Sequence, residues 1–114
     1  MQYTQKGKTL YIQMSGEIDH HSTVGLRVEV DRAFERSGCR DIVFDFSEVT
    51  FMDSSGIGLV IGRYKNAQER GGSVAIAGMR PEMARIYQIS GLAKIITSYS
   101  SVSEAQKAIG GDAV

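Results

Sequence analysis

The chain has 114 residues, 42% of them hydrophobic, and its 13 Lys and Arg balance 13 Asp and Glu to give no net charge. This length and composition predict one globular domain over residues 1–110, large enough to fold without a disulfide or a structural metal. The balanced charge argues against direct nucleic-acid binding and against attachment to an anionic membrane, because both usually need a basic excess.

Cysteine usage and hydropathy indicate the compartment. The single cysteine, Cys39, has no partner for a disulfide or a zinc site, and we expect a small buried residue at the start of a strand. The N-terminal residues lack the apolar stretch of a signal peptide, and no apolar run approaches the roughly 20 residues that cross a bilayer. We therefore expect a reduced, cytoplasmic location.

Two strands open the chain. A short first strand contains Tyr3 and turns back through a Lys-Gly-Lys sequence. In the second strand Leu10, Ile12 and Met14 alternate with other residues, which is typical of a half-buried strand. The polar residues 15–21 predict a loop after it.

A helix and a buried strand follow. The inner face of the helix is predicted from four residues at helical spacing: Leu26, Val30, Ala33 and Phe34. We expect Ser22 or Thr23 to cap its start and Gly38 to end it. Residues 41–46 are rich in β-branched and aromatic side chains and predict a buried strand, with a loop over residues 47–50.

The second half of the chain alternates helices with strands. One helical face is predicted from Ile57, Val60, Ile61 and Tyr64. Residues 74–77 predict a short strand, and Pro81 fits the first turn of a third helix. Residues 92–96 predict a last strand, and Ser101, with an acidic residue three positions later, has the spacing of a capping box. Residues 111–114 are predicted to be a short flexible tail.

This order of elements predicts the fold class. Strands that alternate with helices need crossover connections and form a parallel sheet, whereas the opening hairpin adds an antiparallel pair. We therefore predict an α/β fold with a mixed four- to five-stranded sheet and about four helices.

The strongest functional signal is Met-Asp-Ser-Ser-Gly-Ile-Gly at residues 52–58. It places two hydroxyls at the predicted start of a helix, where a serine oxygen can accept from a free N–H, and its glycines leave the turn uncovered. An exposed Ser54 beside Asp53 would suit phosphorylation, which adds about −1.5 to −2 charges at pH 7. The helix dipole would tolerate that charge, whereas an interface over the turn would not.

A serine hydrolase is one alternative, with Ser54 or Ser55 as nucleophile and His20 or His21 as base. A nucleophile elbow has glycine two residues before and two residues after its serine. Neither serine meets that pattern, so the motif argues against this chemistry.

Two ligand sites are further alternatives. Gly56, Gly58 and Gly62 match neither the dinucleotide fingerprint nor the phosphate-binding loop of nucleotide triphosphatases. Residues 17–21 contain four potential metal ligands, but adjacent side chains rarely converge on one ion. We expect neither a metal nor a cofactor in this chain.

The motifs together resemble the anti-sigma factor antagonists of the STAS superfamily. The resemblance is carried by Gly-Glu-Ile-Asp-His-His at residues 16–21, by residues 42–46, by residues 51–58 and by Gly-Arg-Tyr-Lys at residues 62–65. It extends over residues 10–96 and is greatest to the sporulation branch, which acts on sigma-F. It implies the STAS fold for this chain.

The resemblance also implies roles for individual residues. Ser54 matches the phosphate acceptor of the family, and Asp19 matches a loop aspartate that supports recognition by the kinase. We expect Gly56, Gly58 and an exposed Leu59 to shape the rest of a docking surface. The full partner-binding set is Asp19, His20, Asp53, Ser55, Gly56, Ile57, Gly58 and Leu59.

The partners are likewise implied by the resemblance. The unphosphorylated protein, a monomer when free, would bind an anti-sigma factor that is also a serine kinase and thereby free the sigma factor. The kinase would use ATP and Mg²⁺ to phosphorylate the protein, and a metal-dependent serine phosphatase would reverse the step. General-stress antagonists and sensory or transporter-associated STAS modules are the alternatives. The His20-His21 pair after Asp19 favours sporulation.

Overall fold

The computed structural model describes residues 1–110, and five strands in it form one mixed sheet. They are adjacent in chain order: β1 Gln2–Lys6, β2 Thr9–Ile18, β3 Asp41–Met52, β4 Val74–Ala77 and β5 Thr97–Tyr99. Strand β1 is antiparallel to β2, and every other neighbouring pair is parallel. The predicted mixed α/β sheet is confirmed, whereas the predicted tail at 111–114 lies outside the described residues.

The described helices number four: α1 Ser22–Ser37, α2 Ser54–Glu69, α3 Pro81–Ile89 and α4 Val102–Ala105. A 3₁₀ turn follows α3, and a π turn continues α4 to Gly110. Ser101 caps α4 as predicted, because its Oγ accepts from the N–H of Glu104 at 3.1 Å. Among residues 1–110, no helix has both the length and the apolar character needed to cross a membrane.

Alternation along the strands divides the core between the two faces of the sheet. Leu10, Ile12 and Met14 of β2 are fully buried in the larger cluster, which includes residues of α1, α2 and α3. On the other face, Val43 and Ala75 form a smaller cluster with Ala105 of α4. Cys39 is fully buried in the larger cluster, as expected for a small apolar residue.

Two strands are longer than the sequence predicts. Strand β2 continues to Ile18 and β3 to Met52, so the loops predicted at residues 15–18 and 47–50 are wrong. The extensions pair with each other across two register shifts, with Ile18 opposite Met52. Backbone pairing does not require apolar side chains. Most exposed positions here are polar, although Phe51 is also exposed, and Ile18, Val49 and Met52 are buried.

The strand predicted at residues 92–96 is also wrong. Gly91 has φ of 84°, and a 3₁₀ turn over Leu92–Lys94 follows it. Leu92 and Ile96 are buried while Ile95 is 42% exposed, a spacing of four residues rather than of two. The last strand therefore begins only at Thr97, where it pairs with Ala75 of β4.

The parallel arrangement brings the starts of two helices together. Helix α1 follows the carboxyl end of β2, and α2 follows the carboxyl end of the adjacent strand β3. Both helices therefore begin at the same edge of the sheet, which is where loops of α/β proteins commonly form sites.

Candidate functional site

Asp53, rather than a serine, caps helix α2. Its backbone is extended, with φ of −107° and ψ of −169°, and its Oδ1 accepts from the N–H groups of Ser55 at 2.9 Å and Gly56 at 3.3 Å. The expectation that a serine oxygen fills this role is therefore wrong. Because the aspartate satisfies the free N–H groups, Ser54 begins the helix with an exposed side chain, and no hydrogen bond within residues 1–110 engages its hydroxyl.

The same carboxylate connects the Ser54 turn to the loop before α1. Asp53 Oδ2 accepts from the N–H of His20 at 3.1 Å, and the N–H of Asp53 donates to the carbonyl of Ile18 at 3.3 Å. The structure thus brings the Asp19 loop and the Ser54 turn together. His20 itself has an exposed side chain beside this contact.

Asp19 organises the start of α1. Its Oδ1 accepts from the N–H groups of His21 and Ser22, both at 3.0 Å, while its own N–H donates to Ser22 Oγ at 3.0 Å. These bonds replace the side-chain cap predicted from Ser22 or Thr23, because His21 occupies the cap position without a side-chain bond. The hydrogen bond from the N–H of Ser22 chiefly lowers the pKa of Asp19, against an opposing effect of burial.

The glycines of the motif have different environments. Gly56 is buried, and an added Cβ there would lie 2.4 Å from Met52 Cγ and 2.7 Å from the carbonyl oxygen of Ile18. Gly58 is exposed, and an added Cβ would meet nothing within 4 Å. Packing therefore requires a glycine at position 56, which is buried, whereas Gly58 lies on the surface.

The other motif residues divide in the same way. Leu59 is 5% exposed, so its predicted exposure is wrong, although its edge reaches a surface groove. Ile57 is half-buried against the core, and Ser55 is half-buried beside the same groove. The accessible part of the predicted set is therefore His20, Ser54 and Gly58, with parts of Asp19, Asp53 and Ser55.

A groove of about 370 Å³ separates the first turns of α1 and α2. Its walls include Thr23, Val24 and Arg27 of α1 and Ser55, Gly58 and Leu59 of α2. The α1 wall was not predicted from the sequence. A signal for it is the pair of Val24 and Val28, which are one helical turn apart and both exposed.

The alternative chemistries find no support among the described residues. Neither Ser54 nor Ser55 donates a hydrogen bond to an imidazole within residues 1–110. Over the same residues, no three or more His, Cys, Asp or Glu side chains gather as a group that could hold a metal ion. The arrangement offers an exposed hydroxyl at the start of α2, next to the groove that Ser55 and Gly58 line.

The comparisons with known proteins agree with this geometry. The STAS domain family model matches residues 1–105. The chain is 39% identical over 92 residues to the anti-sigma F factor antagonist of Paenibacillus polymyxa, covering 81% of this chain and 79% of that protein. It is 29% identical to the anti-sigma-B factor antagonist of Bacillus subtilis, with 81% and 83% covered.

The fold is also similar to that of a solved anti-sigma factor antagonist. The anti-sigma factor antagonist SpoIIAA in its unphosphorylated form is 29% identical, with a TM-score of 0.83 and 96% of each chain covered. Fold, motif and sequence identity therefore show that the chain belongs to the STAS domain family, among its anti-sigma factor antagonists.

Proposed function

We propose that the protein, acting as a single domain over residues 1–110, is the antagonist of an anti-sigma factor that controls the sporulation sigma factor, sigma-F. In the unphosphorylated state it binds the anti-sigma factor, which is also a serine kinase, and so releases the sigma factor. The observation that carries the proposal is the exposed hydroxyl of Ser54 at the start of α2, which no hydrogen bond from residues 1–110 engages, next to the groove that Ser55 and Gly58 line.

Phosphorylation of Ser54 inactivates the protein without unfolding it. The phosphoryl group passes from ATP to Ser54 Oγ, the hydroxyl loses its proton, and ADP is released by the kinase. Because Asp53 already caps the helix, the fold loses no hydrogen bond when the hydroxyl is modified. The phosphate stands at the positive end of the helix dipole, which tolerates negative charge.

The same charge is not tolerated in a docked complex. Burial of an unpaired phosphate in an interface costs several kcal/mol, which is a thousandfold or more in affinity. A modification that leaves the fold intact and prevents docking is a switch. A metal-dependent serine phosphatase resets it in the cytoplasm by transferring the phosphoryl group to water, and the free antagonist is a monomer.

The sigma-F assignment is supported by the identity to the Paenibacillus polymyxa antagonist, 39% against 29% for the Bacillus subtilis sigma-B antagonist. The second candidate is therefore an antagonist in general-stress control, which uses the same acceptor and the same kind of kinase. Binding assays against the two classes of anti-sigma factor would separate the candidates.

The proposal is tested by incubating the protein with its cognate anti-sigma kinase and ATP/Mg²⁺, followed by intact mass and site mapping. We expect one phosphoryl group on Ser54, none on Ser54→Ala, and normal modification of Ser55→Ala. Modification of Ser55 instead, or no modification of a folded sample by an active kinase, would overturn the proposal.

A further inference from the structure

Helix α2 presents two glycines that its own fold does not need. Gly58 and Gly62 lie one and two turns beyond Ser54, and an added Cβ at either would meet nothing within 4 Å. Glycine disfavours a helix relative to alanine, so glycines without an intramolecular contact call for another explanation. They leave a strip of bare backbone that begins at the phosphate acceptor.

Helix α1 presents an apolar row beside this strip. Val24 is 69% exposed and Val28 is 52% exposed, and both are among the few large hydrophobic residues exposed within residues 1–110. Val24 borders the groove of about 370 Å³ opposite Gly58 and Leu59. The surface between the helices, here called the α1–α2 cleft, is defined by Val24, Arg27 and Val28 on one side and by Ser54, Gly58 and Gly62 on the other.

The cleft also carries excess positive charge. Arg63 of α2 is 6% exposed and reaches across to α1, where its Nε lies 3.1 Å from Asp31 Oδ1. That contact does not satisfy the pair, because Arg63 Nε and Nη1 and Asp31 Oδ1 are buried without a hydrogen-bond partner. Burial lowers the pKa of Arg63, Asp31 opposes this effect, and the like charge of Arg27 adds to it. Arg27 is therefore close enough to Arg63 to repel it, and the ion pair of Arg63 is with Asp31.

From these observations we infer that the α1–α2 cleft receives a helix of the anti-sigma factor that carries an apolar side chain and a carboxylate. The inference rests on the proposed function and specifies how the partner docks. Val24 and Val28, like Gly58 and Gly62, are four residues apart, which is about 6 Å along a helix. Two such rows form a groove into which the side-chain ridge of a third helix fits.

Each part of the cleft has a role in this arrangement. The glycines allow close approach of the backbones, the valines and Leu59 receive the apolar side chain, and Arg27 faces the carboxylate. Ser54 lies at the end of the strip, so its phosphate would meet an incoming carboxylate and repel it. The positive charge of Arg27, which attracts the partner, and the negative charge of the phosphate, which releases it, therefore act in the same cleft.

The glycine strip is tested with Gly58→Leu and Gly62→Leu, and Gly25→Leu is the matched control. Gly25 is also helical and exposed, and an added Cβ there would meet nothing within 4 Å among residues 1–110. It lies about 100° around α1 from Val24, about 60° from Val28 and about 160° from Arg27, on the far side of the valine row from Arg27. We expect the two cleft variants to lose at least about tenfold in affinity for the purified cognate anti-sigma factor, while the control stays within about twofold. All three should keep the thermal midpoint of the parent or exceed it.

The outcomes separate the two proposals. If the parent binds and the folded cleft variants bind as tightly, or if Gly25→Leu loses as much as they do, the cleft is not the docking site and the proposed function stands. If the parent itself does not bind any anti-sigma factor, the proposed function fails and this inference fails with it.

The carboxylate is tested with Arg27→Glu against Arg36→Glu, an exposed arginine in the last turn of α1 and on the opposite side of the helix from Arg27. We expect Arg27→Glu to lose at least about tenfold at low salt and to flatten the salt dependence of binding, with Arg36→Glu close to the parent. Hydrogen exchange on the anti-sigma factor should show protection of one helix that contains Asp or Glu. Equal affinity in Arg27→Glu, or protection confined to a loop, would overturn the inference.

Discussion

Asp53 Oδ2 accepts from the backbone N–H of His20 at 3.1 Å, across 33 positions of sequence. Its other oxygen caps helix α2, so one carboxylate holds both loops of the candidate docking surface. The position of Ser54, the proposed phosphate acceptor, therefore depends on a side chain that need not contact the proposed partner.

Replacing Asp53 should separate these two roles. Asp53→Ala loses the cap and the bond to His20, and we expect its free energy of unfolding to fall by about 1–2 kcal/mol. Asp53→Asn keeps an oxygen that can cap the helix, and we expect a smaller loss. Urea unfolding measures both, with Ser54→Ala, expected within about 0.5 kcal/mol of the parent, as control. An unchanged Asp53→Ala would show that another group caps α2.

The two motif glycines should respond oppositely to alanine. Gly56→Ala places a methyl group against Met52 and the carbonyl of Ile18, and we expect a loss of about 1–3 kcal/mol. Gly58→Ala meets empty space in a helix, and we expect a gain of about 0.5–1 kcal/mol. Thermal and urea unfolding measure the stability of both variants. If Gly56→Ala and Gly58→Ala changed the free energy of unfolding equally, in either direction, the different packing assigned to the two glycines would be contradicted.

Asp19 should make stability depend on pH. Its pKa is lowered from the ordinary 3.8, chiefly by the N–H of Ser22, so folding favours the charged form. This contribution is fully present above about pH 4 and is lost as the pH falls through the lowered folded pKa. We therefore expect the stability difference between the parent and Asp19→Asn to shrink as the pH falls below about 4. A difference that stays constant over this range would contradict the expectation.

Removing one or the other partner of the Arg63–Asp31 ion pair should have opposite effects on stability, because Arg63 is 6% exposed whereas the side chain of Asp31 is 43% exposed. Arg63→Met removes an incompletely bonded buried cation and leaves an aspartate that water can solvate, so we expect the free energy of unfolding to rise by about 1 kcal/mol. Asp31→Ala leaves that cation beside Arg27 without its carboxylate, and we expect a loss of about 1–3 kcal/mol. Chemical unfolding checks both. A destabilised Arg63→Met would show that packing of the arginine stem dominates.

Ser54→Asp should mimic the released state. A carboxylate at the first helical position suits the dipole, so we expect stability within about 0.5 kcal/mol of the parent. In the complex the added charge is unfavourable, and we expect at least about a tenfold loss in affinity for the anti-sigma factor. Titration calorimetry measures the affinity, and binding as tight as that of the parent would show that Ser54 is not the switch.

Local sequence was sufficient to predict most of the helices and strands. The alternation of Leu10, Ile12 and Met14 predicted the buried face of β2, and Gly38, with φ of 67°, ends α1 as expected. Strand β4 has the predicted bounds. These features depend on side-chain periodicity and on backbone conformations that neighbouring residues determine, so they can be read without knowing what lies across the sheet.

The extensions of β2 and β3 could not be read in this way. Their residues are largely polar, and they are strands because each pairs with the other, through contacts between Ser15 and Glu48 and between Ile18 and Met52. Pairing of this kind depends on chain segments more than 30 positions apart, which local propensity does not report.

By itself, the sequence determined the alternating α/β order, the buried faces of β2 and α1 and the placement of the serine motif at a helix start, whereas on α2 it did not predict the burial of Leu59 and Arg63. Only the tertiary structure decided what each motif residue does. Gly56 and Gly58 are the same residue type, yet one is packed against Ile18 and the other borders a groove. The capping oxygen came from Asp53 rather than a serine, and the cleft charges came from Arg63 and Asp31 on different helices. Burial and hydrogen bonding are properties of the neighbours that folding brings together, and those neighbours are distant in the chain.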